Sequence, residues 1–204
     1  MTTQPDPRRS SPAALRNREP ILAVLQKHLP ADTAHLLEIA SGTGEHAVFF
    51  AQALAHVIWQ PSDPDPANRA SIAAYRADSR LANLRPPLDL DTTAAAWPID
   101  ACDAIFCANL VHIAPWQATL GLLCGARRTL RQGGVLVLYG PFFEDDVPTA
   151  ASNLAFDADL RARDPAWGIR RLAEIAAAAA GFEHPQRIAM PANNLCLLLV
   201  RNGL

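Results

Sequence analysis

The chain has 204 residues, half of them hydrophobic and 19% charged, with a formal net charge of −2. That suffices for one domain with a full core, and it excludes the basic surplus of a nucleic-acid or anionic-membrane binder. Lys27 is the one lysine among 18 basic residues, which excludes a P-loop and leaves no Schiff-base lysine and no Tyr-x-x-x-Lys pair.

Residues 1–11 read as a flexible polar tail and 12–204 as a single domain. The first twenty residues hold no apolar core of a signal peptide, and the longest strongly apolar run, Leu195–Val200, is far too short to span a bilayer. None of Cys102, Cys107, Cys124 and Cys196 forms a C-x-x-C pair, so a reducing cytoplasm is the expected location. Cys107 and Cys196 sit in apolar runs and read as buried thiols.

The spacing of Leu15, Leu22 and Leu25 predicts a helix over Pro12–His28, stopped by Pro30. The apolar run His35–Ala40 predicts a strand. It leads through Ser41-Gly-Thr-Gly44 into a helix over Glu45–Ala55. A second strand is expected at Val57–Gln60, a helix at Pro66–Ala77, and a third strand at Leu84–Leu90, which contains Pro86 and Pro87. Asp103–Ala108 is the fourth strand, Pro115–Leu130 a helix opened by proline, and Gly134–Tyr139 the fifth strand. A helix over Ile169–Ala180 precedes Arg187–Met190, a four-residue loop and Leu195–Arg201. Two strands joined that closely must be antiparallel. The whole predicts an α/β, Rossmann-like doubly wound sheet of seven strands, mostly parallel, closed by a C-terminal antiparallel hairpin.

In such a sheet ligands bind beyond the carboxyl ends of the strands. Strand one ends in Glu38-x-x-x-Gly42-x-Gly44, strand two in Asp63, strand three in Asp89-Leu-Asp91, and strand four in Asn109 followed by His112. Glycines let the backbone turn sharply and approach a ligand. A carboxylate about twenty residues on can accept from both ribose hydroxyls. Gly42-Thr-Gly44-Glu-His-Ala47 also fits a loose dinucleotide pattern. However, Glu38 in the turn would repel a pyrophosphate, whereas phosphate-free S-adenosylmethionine suits an acidic turn.

These residues resemble the class I S-adenosylmethionine-dependent methyltransferases. More closely, the chain resembles domain-of-unknown-function family 938, which includes methyltransferase-like protein 26. The resemblance rests on Leu37-Glu-Ile-Ala-Ser-Gly-Thr-Gly44, Trp59-Gln-Pro-Ser-Asp63, Phe106-Cys-Ala-Asn109 with His112-Ile-Ala-Pro115, and Tyr139-Gly-Pro-Phe142. Ser11-Pro-Ala-Ala, Arg16-Asn17, Trp167-Gly-Ile169 and Met190-Pro-Ala-Asn-Asn194 extend it over residues 11–201. Ala40 departs from the broader pattern, standing where a glycine often does. The resemblance implies that Glu38, Gly42 and Gly44 line the methionine and ribose portion and that Asp63 holds the ribose hydroxyls. It further implies Asp91, or else Asp89, at the adenine and Asn109 near the methionine end. Arg16 and Asn17 would fold over the site and meet the cofactor carboxylate. It also makes strand three the sheet edge, where its prolines are tolerated.

The glycine turn also reads as a plain strand–helix connection, and Asp63, between Pro61 and Pro64, as a solvated turn or cap. His112 reads equally as a general base, with Asp157 behind it, or as a histidine packed at a helix start. His46 reads as a surface residue. Glu144-Asp145-Asp146 reads as a charged loop tip rather than a metal site. Among Trp116, Trp167, Phe142, Phe143 and Phe156, some would wall a substrate pocket, and Ser152–Trp167 is the candidate lid. With no Asn/Asp-Pro-Pro-Tyr after strand four, a planar nitrogen is disfavoured as acceptor. The expected activity is methyl transfer from S-adenosylmethionine to a small molecule, without metal, nucleic acid or membrane. The alternatives are a non-catalytic cofactor-binding or scaffold protein and a nicotinamide oxidoreductase.

Overall fold

Ser11 has extended backbone, and its hydroxyl accepts from the Ala14 N–H. With Pro12 in the first turn, this starts α1 (Pro12–His28) where the sequence predicts it. The computed structural model describes residues 6–203, so residues 1–5 of the expected tail lie outside the described part. Residues 6–11 are tied down: Arg8 pairs with Asp78, Arg9 N donates to Ser71 Oγ, and Ser11 N donates to Glu45 Oε2 at 2.6 Å.

The chain continues through β1 (His35–Ile39), α2 (Glu45–Ala53), β2 (Ile58–Pro61), α3 (Pro66–Ser79) and β3 (Cys102–Ala108). A 3-10 turn at Leu110–His112 leads to α4 (Trp116–Thr129) and β4 (Leu130–Gly140). β5 (Phe142–Phe143), α5 (Ala151–Arg163), β6 (Arg170–Arg171) and α6 (Leu172–Ala178) follow, and β7 (Gln186–Met190) and β8 (Asn194–Val200) close the fold. The main sheet has six strands in the order β2-β1-β3-β4-β8-β7. β2, β1, β3 and β4 are parallel, whereas β8 runs antiparallel to both β4 and β7. β5 and β6 form a separate parallel pair.

The expected third strand, Leu84–Leu90, is not one, which leaves six strands in the main sheet rather than seven. It runs outside β2, with Arg85 N donating to Trp59 O and Leu88 N to Pro61 O. Pro86 and Pro87 have no N–H to give between those two bonds, so the ladder breaks into isolated bridges. The segment does lie at the sheet edge, where proline is tolerated.

Other elements differ from the expectation as well. β4 starts at Leu130, directly after α4, because a bulge at residues 131–134 absorbs Gly133 at φ 72°. The last helix starts at Leu172 rather than Ile169, because Arg170–Arg171 pair with β5. The expected lid is largely α5, which the sequence reading lacked. It buries only Asn153 and Leu160 and leaves Leu154 and Phe156 exposed, so no apolar stripe announced it.

Alternation along the strands sends Leu37, Ile105 and Leu136 against α4 and α6, and Leu36, Phe106 and Val137 against α1 and α2. Helices thus cover both faces, and the carboxyl ends of β1, β3 and β4 are left to form a site. Cys102, Cys107 and Cys196 are buried, and burial pushes their thiols up, to about 12 for Cys102 and Cys196. No described helix is long and apolar enough to cross a membrane.

Candidate active site

Beyond β1 the chain turns through left-handed backbone at Ala40 (φ 53°), Gly42 (φ 57°) and Gly44 (φ 92°). The turn is tied to the end of β2. Ser41 N donates to Ser62 O at 2.9 Å, and Ser62 Oγ donates to Glu38 O at 2.7 Å. Gly42 N donates to Asp63 Oδ2 at 2.9 Å, while Asp63 Oδ1 accepts from Asp65 N and Asn68 Nδ2. Asp63 is thus buried and held in place from both sides. Glu38 is also buried, and its Oε2 accepts from Trp59 Nε1 at 2.8 Å. Burial pushes its carboxyl up to about 7, against the pull of the Trp59 hydrogen bond.

The two glycines differ in role. A Cβ on Gly42 would meet nothing nearer than 4.0 Å and would jut into open cavity. A Cβ on Gly44 would stand 2.9 Å from Ile72 Cα. Gly44 therefore serves the packing of α2 on α3, and it lines none of the three cavities described next, contrary to the expected role.

Three cavities lie side by side across the strand ends. The first, about 340 Å³, is bordered by Gly42, Asp63, Asp91 and Leu90. The second, about 190 Å³, is bordered by Glu38, Gly42, Thr43, His46 and Asn109. They share Ala40, Gly42, Ala108 and Ile113. The third, about 710 Å³, shares Asn109, Ile113 and Ser11 with the second and extends past His112, Tyr139 and Phe156. Asp91 borders the first cavity, whereas Asp89 is 70% exposed and paired with Arg69. The first two cavities contain carboxylates and no lysine or arginine among their described lining residues. That composition suits a ribose and a sulfonium and opposes a pyrophosphate, so the residues present fit an adenosyl-sulfonium ligand.

Asn109 takes left-handed backbone (φ 65°), which places it at the junction of the second and third cavities. His112 is buried, with its ring edge-on to Phe156, and burial pushes the imidazole down to about 4. A Cβ at Gly140 would come within 3.2 Å of His112 Nδ1 and 3.9 Å of Asn109 Oδ1, so the bare end of β4 brings these two side chains together. Arg16 and Asn17 border the third cavity rather than the first two. Along α1, Ala13, Arg16, Asn17 and Pro20 fall at i, i+3, i+4 and i+7 and form one face over that cavity.

Among the described residues no hydrogen bond joins Asp157 to the His112 side chain, and Asp157 lies outside the described lining of all three cavities. Its Oδ1 accepts from Ile169 N at 2.7 Å and its Oδ2 from Arg161 Nε at 2.8 Å. Gly168 N in turn donates to the His112 carbonyl at 3.0 Å. Asp157 therefore reaches His112 only through the backbone of the 168–169 turn.

His46 corrects another expectation. It is buried, stacks on Phe50, and its Nε2 lies 2.7 Å from Asn17 Oδ1. Burial pushes its imidazole down to about 4. The buried stripe Ala47, Phe50, Ala51 of α2 was the available signal, since residue 46 is its i−4 neighbour for Phe50. Glu45 and Tyr139 were also missed. Glu45 Oε2 binds both Ser11 N and Thr43 Oγ1, and Tyr139, at the end of β4, borders the third cavity. Of the five aromatics considered, Phe156 borders that cavity. Phe142 is core, while Trp116 and Trp167 lie under Arg170 and Arg163. Glu144 and Asp145 pair with Arg187 and Arg171, as a charged loop tip would.

Solved structures carry the same fold. The S-adenosylmethionine-dependent methyltransferase SibL, in its apo form, matches with TM-score 0.78 and 20% identity over 94% of this chain and 56% of its own. An O-methyltransferase family protein from Burkholderia thailandensis matches with TM-score 0.77 and 16% identity over 94% and 58%. Human N-acetylserotonin methyltransferase, in complex with SAM, matches with TM-score 0.76 and 13% identity over 94% and 53%. The fold is thus that of the class I methyltransferases, and the chain spans a little over half the length of each of these structures.

The family can be stated as well. A family described as "Protein of unknown function (DUF938)" matches residues 8–201, and the chain belongs to it, as its motifs implied.

Proposed function

We propose that this protein is an S-adenosylmethionine-dependent methyltransferase acting on a small molecule. The observation that carries the reading is the row of three cavities, all bordered by Ile113, with Asn109 between the second and the third. When bound, the cofactor supplies a methyl group activated on a sulfonium sulfur. Asp63 and Asp91 serve the nucleoside in the first cavity. Glu38 and the Gly42 turn serve the methionine and ribose portion in the second. The third cavity takes the acceptor, and its 710 Å³ lies in the usual range of small-molecule sites.

Holding a nucleophile at the Asn109 junction supplies much of the catalysis by orientation alone. His112, neutral at physiological pH because of its burial, is free to take a proton from an acceptor as the proton becomes acidic. Asp157 is a positioning residue that fixes the turn on which the His112 carbonyl rests.

The test is calorimetry and thermal melting with S-adenosylmethionine, S-adenosylhomocysteine and NAD. The first two should bind, and at one hundred times the dissociation constant each should add about 2.7 kcal/mol of stability. Stabilisation by NAD and by neither of the others would end the reading.

A further inference from the structure

The third cavity differs in charge from the two beside it. Glu38, Asp63 and Asp91 border the first two, which are without lysine or arginine among the described lining. Arg16 is the one residue with a formal charge among the described lining of the third, given a neutral His112. Arg16 takes part in no ion pair among the described residues. Burial pushes the Tyr139 phenol, which borders the same cavity, up from its ordinary value, with the Arg16 charge a smaller pull the other way. The same cavity is lined by the neutral amides of Asn17 and Asn109, which can donate hydrogen bonds, while Asn194 Nδ2 already donates to Pro191 O and Ala192 O. The remaining wall is rigid and apolar, from Pro20, Pro141, Pro191 and Phe156.

We propose that the acceptor is a small, flat, anionic hydroxyl compound, held by its anionic group at Arg16 and presenting its hydroxyl beside His112. This rests on the methyltransferase reading and adds the substrate class to it. A guanidinium with neutral donors and no carboxylate selects an anion and rejects a cation. Proline and phenyl walls suit a planar body, which loses little conformational freedom on binding. In the reaction an O–CH3 bond forms as the S–CH3 bond of the sulfonium breaks. The electron pair of the broken bond stays on sulfur, and the hydroxyl proton passes to the His112 ring. Arg16 thereby serves the acceptor rather than the cofactor carboxylate.

The experiment uses the full chain saturated with S-adenosylhomocysteine and three catechol probes of different charge: 3,4-dihydroxybenzoate, its amide, and dopamine. Calorimetry should show the benzoate binding at least ten-fold tighter than the amide, and dopamine weakest. Arg16→Gln should erase that preference while S-adenosylhomocysteine affinity stays within two-fold, and Arg16→Lys should recover part of it. Equal or better binding of the amide or of dopamine would overturn the proposal, as would no binding of any probe to the loaded protein. So would a variant that loses S-adenosylhomocysteine affinity and keeps the benzoate preference. Failure of S-adenosylhomocysteine to bind the wild-type chain is a different result, and it removes the methyltransferase reading itself.

Discussion

The two sides of this site, one proposed for the nucleoside and the other for the acceptor, are built in opposite ways. On the nucleoside side, residues 38–68 fold on themselves, and Gly42, Asp63, Asp65 and Asn68 are locked by three hydrogen bonds to one carboxylate. On the acceptor side the lining is drawn from separate parts of the chain: four residues of α1, the 109–113 segment, the end of β4, one residue of α5 and three of the 190–194 loop. The first is preorganised for one ligand shape. The second is a set of adaptable amides, rigid apolar walls and one cation, which fixes the class of a ligand more than its identity.

The sharpest way to break this comparison is to remove its most connected group. Asp63→Ala leaves the donors at Gly42, Asp65 and Asn68 without their acceptor. It should cost about 2–3 kcal/mol of stability, since unsatisfied buried donors cost about 1–3 kcal/mol each when they cannot reach water. It should also weaken S-adenosylhomocysteine binding about a hundred-fold by calorimetry. His112→Ala, across the junction, should leave that affinity within two-fold. It should also flatten the acid side of the stability profile. The folded pKa of about 4 lies below the unfolded value near 6.5, so the unfolded state binds more protons between them. Stability therefore falls as pH drops through that window, by roughly 2–3 kcal/mol from this residue alone. Loss of cofactor affinity in the His112 variant would show that the two sides are not separable.

The same contrast explains what could be read from the sequence. The turn after β1 and its tie to the end of β2 were legible in Glu38, Gly42 and Asp63 because these elements are consecutive, and each of the three stands at or near the end of an apolar strand. Helix α1 was legible to the residue because Ser11, Pro12 and Pro30 bound it. The acceptor side depends on contacts made across the fold, which local pattern does not encode. α5 has no buried stripe, so its helix was missed, and Arg16 and Asn17, expected at the cofactor, border the third cavity instead because sequence does not show which way α1 faces. His46 was taken as exposed because its partner, Asn17, is 29 residues away. Asp157 was assigned to the His112 ring when its partner is a backbone N–H at Ile169. The strand at 84–90 failed for a local reason, the missing N–H groups of Pro86 and Pro87, and here the sequence held the answer.

Glu38 sharpens the comparison further, because there a binding group opposes stability. Its folded pKa of about 7 lies above the unfolded value near 4.5, so the folded state binds more protons between them. Stability therefore falls as pH rises from about 4.5 to 7 and stays lowered above it. Glu38→Gln keeps an acceptor for Trp59 Nε1 and removes the buried charge. Urea unfolding should find it about 2 kcal/mol more stable than wild type at pH 8 and nearly equal at pH 4.5, with weaker S-adenosylhomocysteine binding. A variant no more stable at pH 8 would mean that the carboxylate is well solvated by its own cavity.

The smallest effect concerns Ala40, the departure from the glycine pattern. The turn survives with alanine in left-handed backbone at φ 53°, which costs roughly 1–2 kcal/mol for a residue with a Cβ. Glycine removes that strain but gains freedom in the unfolded chain, about 0.4–1 kcal/mol against the change. Ala40→Gly should therefore raise stability by only ~0.5 kcal/mol, seen as a small rise in Tm. Ala40 borders both the first and the second cavity, so the affinity of the same variant carries separate information. If the turn is rigid because Ser41, Ser62 and Asp63 hold it, S-adenosylhomocysteine binding should change less than two-fold. A larger loss would place the Ala40 methyl among the surfaces that the ligand touches, and the nucleoside side would then owe part of its order to a strained alanine rather than to its hydrogen bonds alone.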